Sequence, residues 1–284
     1  MAAADKAMTR RTGTYVYGLL AAPRQPGLGR GVVPKGLPAT GPIRLLTVDG
    51  LVEPSLRKNL EISLHPSLRT WLVVADAPLD RYGEAAIKRG LGDLDWVARL
   101  AVAHEAVVES FPTASAVLPM KLFTIFANDD RALEHIVRDR ARVHRLLAQV
   151  IDHQEWGVRI AIDRSGTALG SGGRNVPPAR SGADYLEQKK AQRKAARELS
   201  TRAREIATDL YTALAEESRA TRRRTANQLP IGNGPLLLDA AFLVGRRKSA
   251  RFRQKVARRA RELAPQGYRV SLSGPWPPYS FMQD

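Results

Sequence analysis

The chain closes on Gly274-Pro275-Trp276-Pro277-Pro278-Tyr279-Ser280-Phe281. Proline lacks a donor N–H and fixes φ, so three prolines in eight residues exclude a helix here. Each residue that precedes a proline is driven to extended geometry. Immediately upstream, Tyr268, Val270 and Leu272 alternate with Arg269, Ser271 and Ser273, the period of a strand with one buried face. A strand therefore runs straight into a stiff tail carrying three large aromatic side chains. Terminal segments fray unless tied down. The tail reads as a structural clasp in which Trp276, Pro277, Pro278, Tyr279 and Phe281 fold back over their own sheet. Docking into a partner's aromatic groove is the other use of such a segment.

The pattern upstream mixes strands with helices. Trp156–Asp163 alternates as a strand, and the run Leu236–Val244 is apolar throughout and of strand length. Between them Asp184 opens a helix expected to reach about Arg224. Its stripe is Leu199, Ala203, Ile206, Leu210 and Leu214, extended N-terminally by Leu186 and Ala196. Ser249 is the expected cap of a second helix that turns Phe252, Val256 and Leu263 inward. In the N-terminal half, Thr14–Ala21, Ile43–Val48 and Leu68–Ala75 read as strands. Val97, Leu100, His104, Val107 and Phe111 recur at helical spacing until Pro112 stops the run. Ala114–Ala127 reads as a bent strand or strand pair with Pro119 at a kink, and Asn128-Asp129-Asp130 caps a helix running to Val150.

A chain of 284 residues suggests two domains. The boundaries expected are 1–152, a mixed α/β sheet domain, and 153–284, an α+β domain built around one long helix, with a mobile Gly/Pro-rich loop at 165–181. The fold class is α+β.

The chain has no cysteine, which excludes disulfides, thiol catalysis and thiolate metal ligands. No apolar run approaches the roughly 18 residues of a membrane span, and the N-terminus lacks the apolar core of a secretory signal. Of the five histidines, His135 and His144 lie about two and a half turns apart and face different ways. His104 falls on an apolar stripe beside Glu105. It reads as a core or domain-interface histidine, and would be catalytic only with a carboxylate partner in a cleft. Gly27-x-Gly29-x-Gly31 and Gly170-Ser-Gly-Gly173 lack the strand–helix context that cradles phosphate. Neither a catalytic residue, a cofactor, a metal nor a small-molecule substrate is expected, and the chain is not read as an enzyme.

The formal charge is +17, and residues 181–264 hold twenty Lys/Arg against nine Asp/Glu. A field of that sign attracts acidic partners. The partner-binding candidates are Arg222, Arg223 and Arg224 with Arg246, Arg247 and Lys248, while a solvated helix face is the plain reading of the same residues. A basic nucleic-acid-binding protein is the functional alternative, because phosphate contact needs only charge. Readout of single strands calls for aromatics among the basic residues, and only Tyr185, Tyr211 and Phe252 occur there. No specific nucleic acid is expected.

Several segments, in order, resemble the gas vesicle GvpL/GvpF family. They are Tyr15-Val-Tyr-Gly18, Ala101-Val-Ala-His104-Glu, Gly182-Ala-Asp-Tyr185-Leu186, Leu236–Val244 and Gly274–Phe281. Val117-Leu-Pro119-Met-Lys121-Leu-Phe-Thr124-Ile-Phe126 is similar to the family's Val-Leu-Pro-x-Arg-Phe-Gly-Thr-x-Phe, with Lys121, Leu122 and Phe123 in place of Arg-Phe-Gly. The resemblance covers nearly the whole chain, and its last two segments are the most specific. It implies a gas vesicle accessory protein of two α+β domains, the C-terminal one a modified ferredoxin-like fold. It also implies binding to the hydrophobic shell protein, help with shell assembly, and other accessory proteins as partners. The expected location is the cytoplasm and the gas vesicle, some members being minor vesicle components, with neither a membrane nor a cofactor involved.

Overall fold

A computed structural model of the chain describes residues 11–27, 34–48, 68–163, 182–224 and 235–282. The expected loop at 165–181, the Gly170–Gly173 motif and the second half of Gly27-x-Gly29-x-Gly31 lie outside the described residues. Two compact units emerge, Met1–Asp152 with Pro277–Asp284, and His153–Trp276.

In the first unit, β1 (Thr12–Ala22) is buried along all but its first residue, which is why it reads as a continuous apolar and aromatic run. It pairs antiparallel with β3 (Arg69–Pro78), and β2 (Arg44–Thr47) extends the sheet beyond β3. On its other side β1 pairs with β4 (Ala116–Pro119) and β5 (Ile125–Phe126). Ala114–Ala127 is thus a strand pair, bent at Phe123, whose φ of 66° lies in the left-handed region. Three helices follow β3: α1 (Leu79–Tyr82), α2 (Glu84–Gly90) and α3 (Leu94–Glu109). The Asp93 carboxylate caps α3 by accepting from the Trp96 N–H. Leu100, His104 and Val107 of α3 pack with Tyr15, Tyr17, Val73 and Phe111 in one core. Asn128 caps α4 (Asp129–Arg138) through Arg131 N. The single helix expected from there to Val150 is broken at Asp139, and α5 (Arg140–Val150) follows.

The second unit runs β6 (His153–Ile162), α6 (Gly182–Ala215), β7 (Ala220–Arg223), β8 (Leu236–Gly245), α7 (Ser249–Leu263) and β9 (Tyr268–Trp276). All pairings are antiparallel, in the order β7-β8-β6-β9. This β-α-β-β-α-β order is the ferredoxin-like arrangement. Period-2 positions Trp156, Val158 and Ile160 on β6 and Leu238, Ala240, Phe242 and Val244 on β8 share one face. Against them pack Ala203, Ala207, Leu210 and Leu214 of α6 and Phe252, Val256 and Leu263 of α7. Alanines at 203 and 207 bring α6 close to the sheet. Each fully buried Leu or Phe here contributes about 1.5–3 kcal/mol relative to exposure.

Two helix expectations change. The long helix stops at Ala215, where Ser218 Oγ donates to Leu214 O, and Ala220–Arg223 becomes an edge strand. Its stripe is buried only from Ala203 onward, since Leu186 and Leu199 keep 58% and 50% of their surface exposed. Ser249 opens α7 without capping it, its hydroxyl turning to Gln154 Oε1 and Gly245 O.

Candidate functional site

The six basic candidates occupy two places on the second unit. Arg219 N donates to Leu243 O and starts the β7–β8 pairing, which lays Arg222 opposite Ala241 and Arg223 opposite Ala240. Strand alternation then splits the triplet. Arg223 turns to the helix side, its guanidinium 4.1 Å from the Tyr211 ring centroid. Tyr211 is itself bonded through its hydroxyl to Thr221 at 2.6 Å. Arg224 belongs to an ion-pair cluster: its Nη2 donates to Glu155 Oε1 at 2.6 Å, and its Nη1 lies 3.7 Å from Asp239 Oδ1. Arg159 Nε holds the other Asp239 oxygen at 3.1 Å. Arg246, Arg247 and Lys248 form a 3-10 turn between β8 and α7. Because β7 and β8 are antiparallel, that turn lies about 17 Å along the strand from the level of Arg222. The two triplets do not make one patch. Within the second, Arg247 and Lys248 are exposed and Arg246 is half-buried.

The basic residues of α7 divide similarly. Lys255 Nζ donates to the carbonyl of Ala213 at 2.6 Å and shares Glu217 with Arg251. Arg253 lies over the Trp156 ring at 5.9 Å. Arg258 and Arg259 both reach Glu262. Much of the positive charge read from the sequence is thus tied to the fold's own carboxylates, carbonyls and rings.

The tail splits the aromatic residues expected to act together. Gly274 adopts a φ of 112°, and a Cβ there would meet Glu155 O at 2.8 Å, so only glycine fits. The Gly274–Pro275 peptide is cis, and β9 continues through it to pair Trp276 with Glu155. Trp276 keeps 40% of its surface exposed, whereas Pro278 and Phe281 are buried. From Pro277 on the tail groups with the first unit, not with the sheet it leaves, and Arg142 Nη2 donates to Met282 O at 3.0 Å.

The titratable groups of the first unit are built into its core. His104 is 4% exposed, and its Nδ1 lies 2.7 Å from the Tyr15 hydroxyl. Burial drives its pKa down to about 4, against a weaker opposing contact from the Met120 backbone. The Tyr15 hydroxyl also accepts from Phe123 N, and burial raises its pKa. His104 is the core histidine the stripe suggested, with a tyrosine as its partner. An open hollow of about 370 Å³ is lined by Thr14, Arg44, Asp76, Asn128 and Asp129. Arg44 spans Asp129 at 2.7 Å and Asp76 at 2.5 Å, and Thr14 Oγ1 donates to Asp129. The Arg44 hydrogen bonds hold the Asp129 carboxyl below its usual range. Asp129, in the first turn of α4, is therefore held as an anion between Arg44 and Thr14. Among the described residues no group of three or more His, Asp or Glu is placed to hold a metal, and no helix is long and apolar enough to cross a membrane.

One exposed feature escaped the residue pattern. Around the start of α3, Leu91, Leu94 and Val102 are 52%, 80% and 70% exposed. Leu94, Ala98, Ala101 and Val102 share one helical face. The stripe Val97, Leu100, His104 and Val107 reported the side that meets the core, whereas the apolar residues outside it gave no sign of what they face.

The family model described as gas vesicle synthesis protein GvpL/GvpF matches residues 13–283. The chain belongs to this family. It is 32% identical over 214 residues to gas vesicle protein L of Streptomyces sp. (strain CB03234), covering 74% of this chain and 78% of that protein. The fold matches the crystal structure of GvpF from Anabaena sp. PCC7120 with a TM-score of 0.63 at 16% identity, over 96% of this chain and 97% of that one. GvpF from Microcystis aeruginosa matches with a TM-score of 0.59 at 15% identity, over 96% and 99%. As a GvpL/GvpF protein the chain has a gas vesicle related role. At position 123 the backbone takes the left-handed region, φ 66°, which glycine adopts without strain and Phe does not. Phe123 offsets the strain by stacking on Trp96, with ring centroids 5.5 Å apart and planes 14° apart.

Proposed function

We propose that this chain is a gas vesicle accessory protein that binds the hydrophobic shell protein and assists vesicle assembly. On this reading it works in the cytoplasm and at the vesicle, alongside other accessory proteins and without catalysing a reaction. The family match across residues 13–283 carries the reading. The exposed apolar face of α3 supports it, because an apolar subunit awaiting insertion needs an apolar surface to cover it. Arg247 and Lys248, exposed beside α7, fit a role in steering an acidic segment of a partner, which speeds encounter more than it tightens binding.

The test is a pull-down of purified gas vesicle shell subunit by the full chain, at low and at high salt. Leu94→Glu with Val102→Glu is expected to abolish capture, and Arg247→Glu with Lys248→Glu to slow it mainly at low salt. A wild-type chain that fails to retain the shell subunit under either condition would refute the reading. Capture unchanged by the Leu94/Val102 pair would remove α3 as the client surface.

A further inference from the structure

The first 21 residues of α6, Gly182–Arg202, span about 30 Å of helix. None of their described side chains is buried; all are exposed except the half-buried Gln188. Burial begins at Ala203, so the segment is an arm that leaves the core of its unit. It stays helical on its own composition, rich in Ala, Lys, Arg, Gln and Glu. Lys190, Arg193, Lys194, Arg197 and Arg204 fall within about 100° of helical arc over about 21 Å, with no Asp or Glu inside that arc. All five are exposed. Among the described residues none of the five has a hydrogen-bond or ion-pair partner. The spacing works against the helix, because 190/193, 190/194, 193/197 and 194/197 are like-charge pairs on neighbouring turns. Glu187 and Glu198 stand three and four residues from Lys190 and Lys194 and offset part of this repulsion, but neither lies inside the arc, and the stripe stays exposed along the helix.

We infer that the α6 arm, with Arg204 just beyond its base, docks an acidic helix of another polypeptide, whose carboxylates recur every three or four residues and face Lys190, Arg193, Lys194, Arg197 and Arg204. A helix carrying carboxylates at that spacing has the same rise as the stripe, so several pairs close together and each relieves a like-charge contact. Leu186, 58% exposed and on the same arc, supplies an apolar contact at the stripe's end. Three other occupants fit less well. A single-stranded nucleic acid is held by aromatics among the cations, and the arm's one aromatic, Tyr185, lies off the arc under Lys189 Nζ at 5.5 Å. A membrane surface needs a broad apolar face, which the arm lacks. Two copies meeting arm to arm would set cations against cations. The chain between β6 and α6, residues 163–181, carries three arginines and a single acid, Asp163, and so cannot supply a row of carboxylates. The inference stands on the arm alone and does not depend on shell-protein binding.

The probe is a synthetic peptide helix with Glu at alternating three- and four-residue spacing, labelled for fluorescence anisotropy against the full chain at about 150 mM salt. A scrambled peptide of equal composition, an oligothymidylate and phosphatidylserine vesicles are the comparators. The variant is Lys190→Gln, Lys194→Gln and Arg197→Gln together, at positions outside the core. Expected are binding of the patterned peptide, at least about fivefold weaker binding of the scrambled one, and about tenfold loss in the variant. Hydrogen exchange across residues 190–204 should slow on adding the patterned peptide to the wild type and stay unchanged in the variant. Absence of binding, equal binding of the scrambled peptide, an unaffected variant, or tighter binding of the oligonucleotide or vesicles would each overturn the inference.

Discussion

Replacing His104 by Asn tests whether the buried Tyr15–His104 pair governs the acid stability of the first unit. The fold holds the imidazole neutral, with burial lowering its pKa from 6.5 to about 4. In the unfolded chain it titrates near the ordinary value. Between those limits the unfolded state binds a proton that the folded state refuses, so stability falls as pH drops. The shift of 6.5 minus about 4 corresponds to about 3 kcal/mol at full effect, of which about 2 kcal/mol is already lost at pH 5. His104→Asn keeps a polar atom near Tyr15 and removes the titration. Urea unfolding followed by tryptophan fluorescence at pH 7 and pH 5 measures the loss in each protein. The pH-dependent loss should shrink by about 2 kcal/mol in the variant, whatever its stability at pH 7. His144, whose pKa burial also lowers, contributes with the same sign in both proteins and cancels in the comparison. Asp129 is held below its normal value of 3.8 by Arg44, so its contribution is lost only below this window. Hydrogen exchange of the β1 amides localises the effect. An equal pH-dependent loss in wild type and variant would refute the argument.

Three further outcomes follow from the geometry. Phe123→Gly relieves the left-handed strain but loses the Trp96 stack, while Phe123→Ala loses the stack and keeps the strain. The alanine variant should therefore be about 1 kcal/mol less stable to urea than the glycine variant, and equal stabilities would dismiss the strain. Leu210→Ala, in the core of the second unit, should cost about 2–5 kcal/mol. Leu199→Ala, one helix stretch earlier, should cost less than about 0.5 kcal/mol, and matching losses would show that the arm is packed. Gly274→Ala places a Cβ 2.8 Å from Glu155 O at a φ of 112°, and should lower stability by about 1–3 kcal/mol in thermal unfolding.

The strands and helices with a single apolar period were legible from residues alone. Alternation at Trp156, Val158 and Ile160, the apolar run from Leu236, and the stripe from Ala203 to Leu214 each report a side chain's own preference for burial, which is local information. The family segments at Leu236–Val244 and Gly274–Phe281 were equally plain, and they led to the family that the full-length match shows. Tertiary structure decided the rest. Ala220–Arg223 is a strand because its backbone pairs with β8, and three consecutive arginines carry no period from which to read that. Arg223 and Arg224 have opposite surroundings, a ring and two carboxylates, which come from distant strands and from a helix. Leu199 and Leu210 are the same residue on one continuous stripe, yet one is half exposed and the other wholly buried. The difference is only where the sheet ends, and a helix carries no record of how far its neighbour extends.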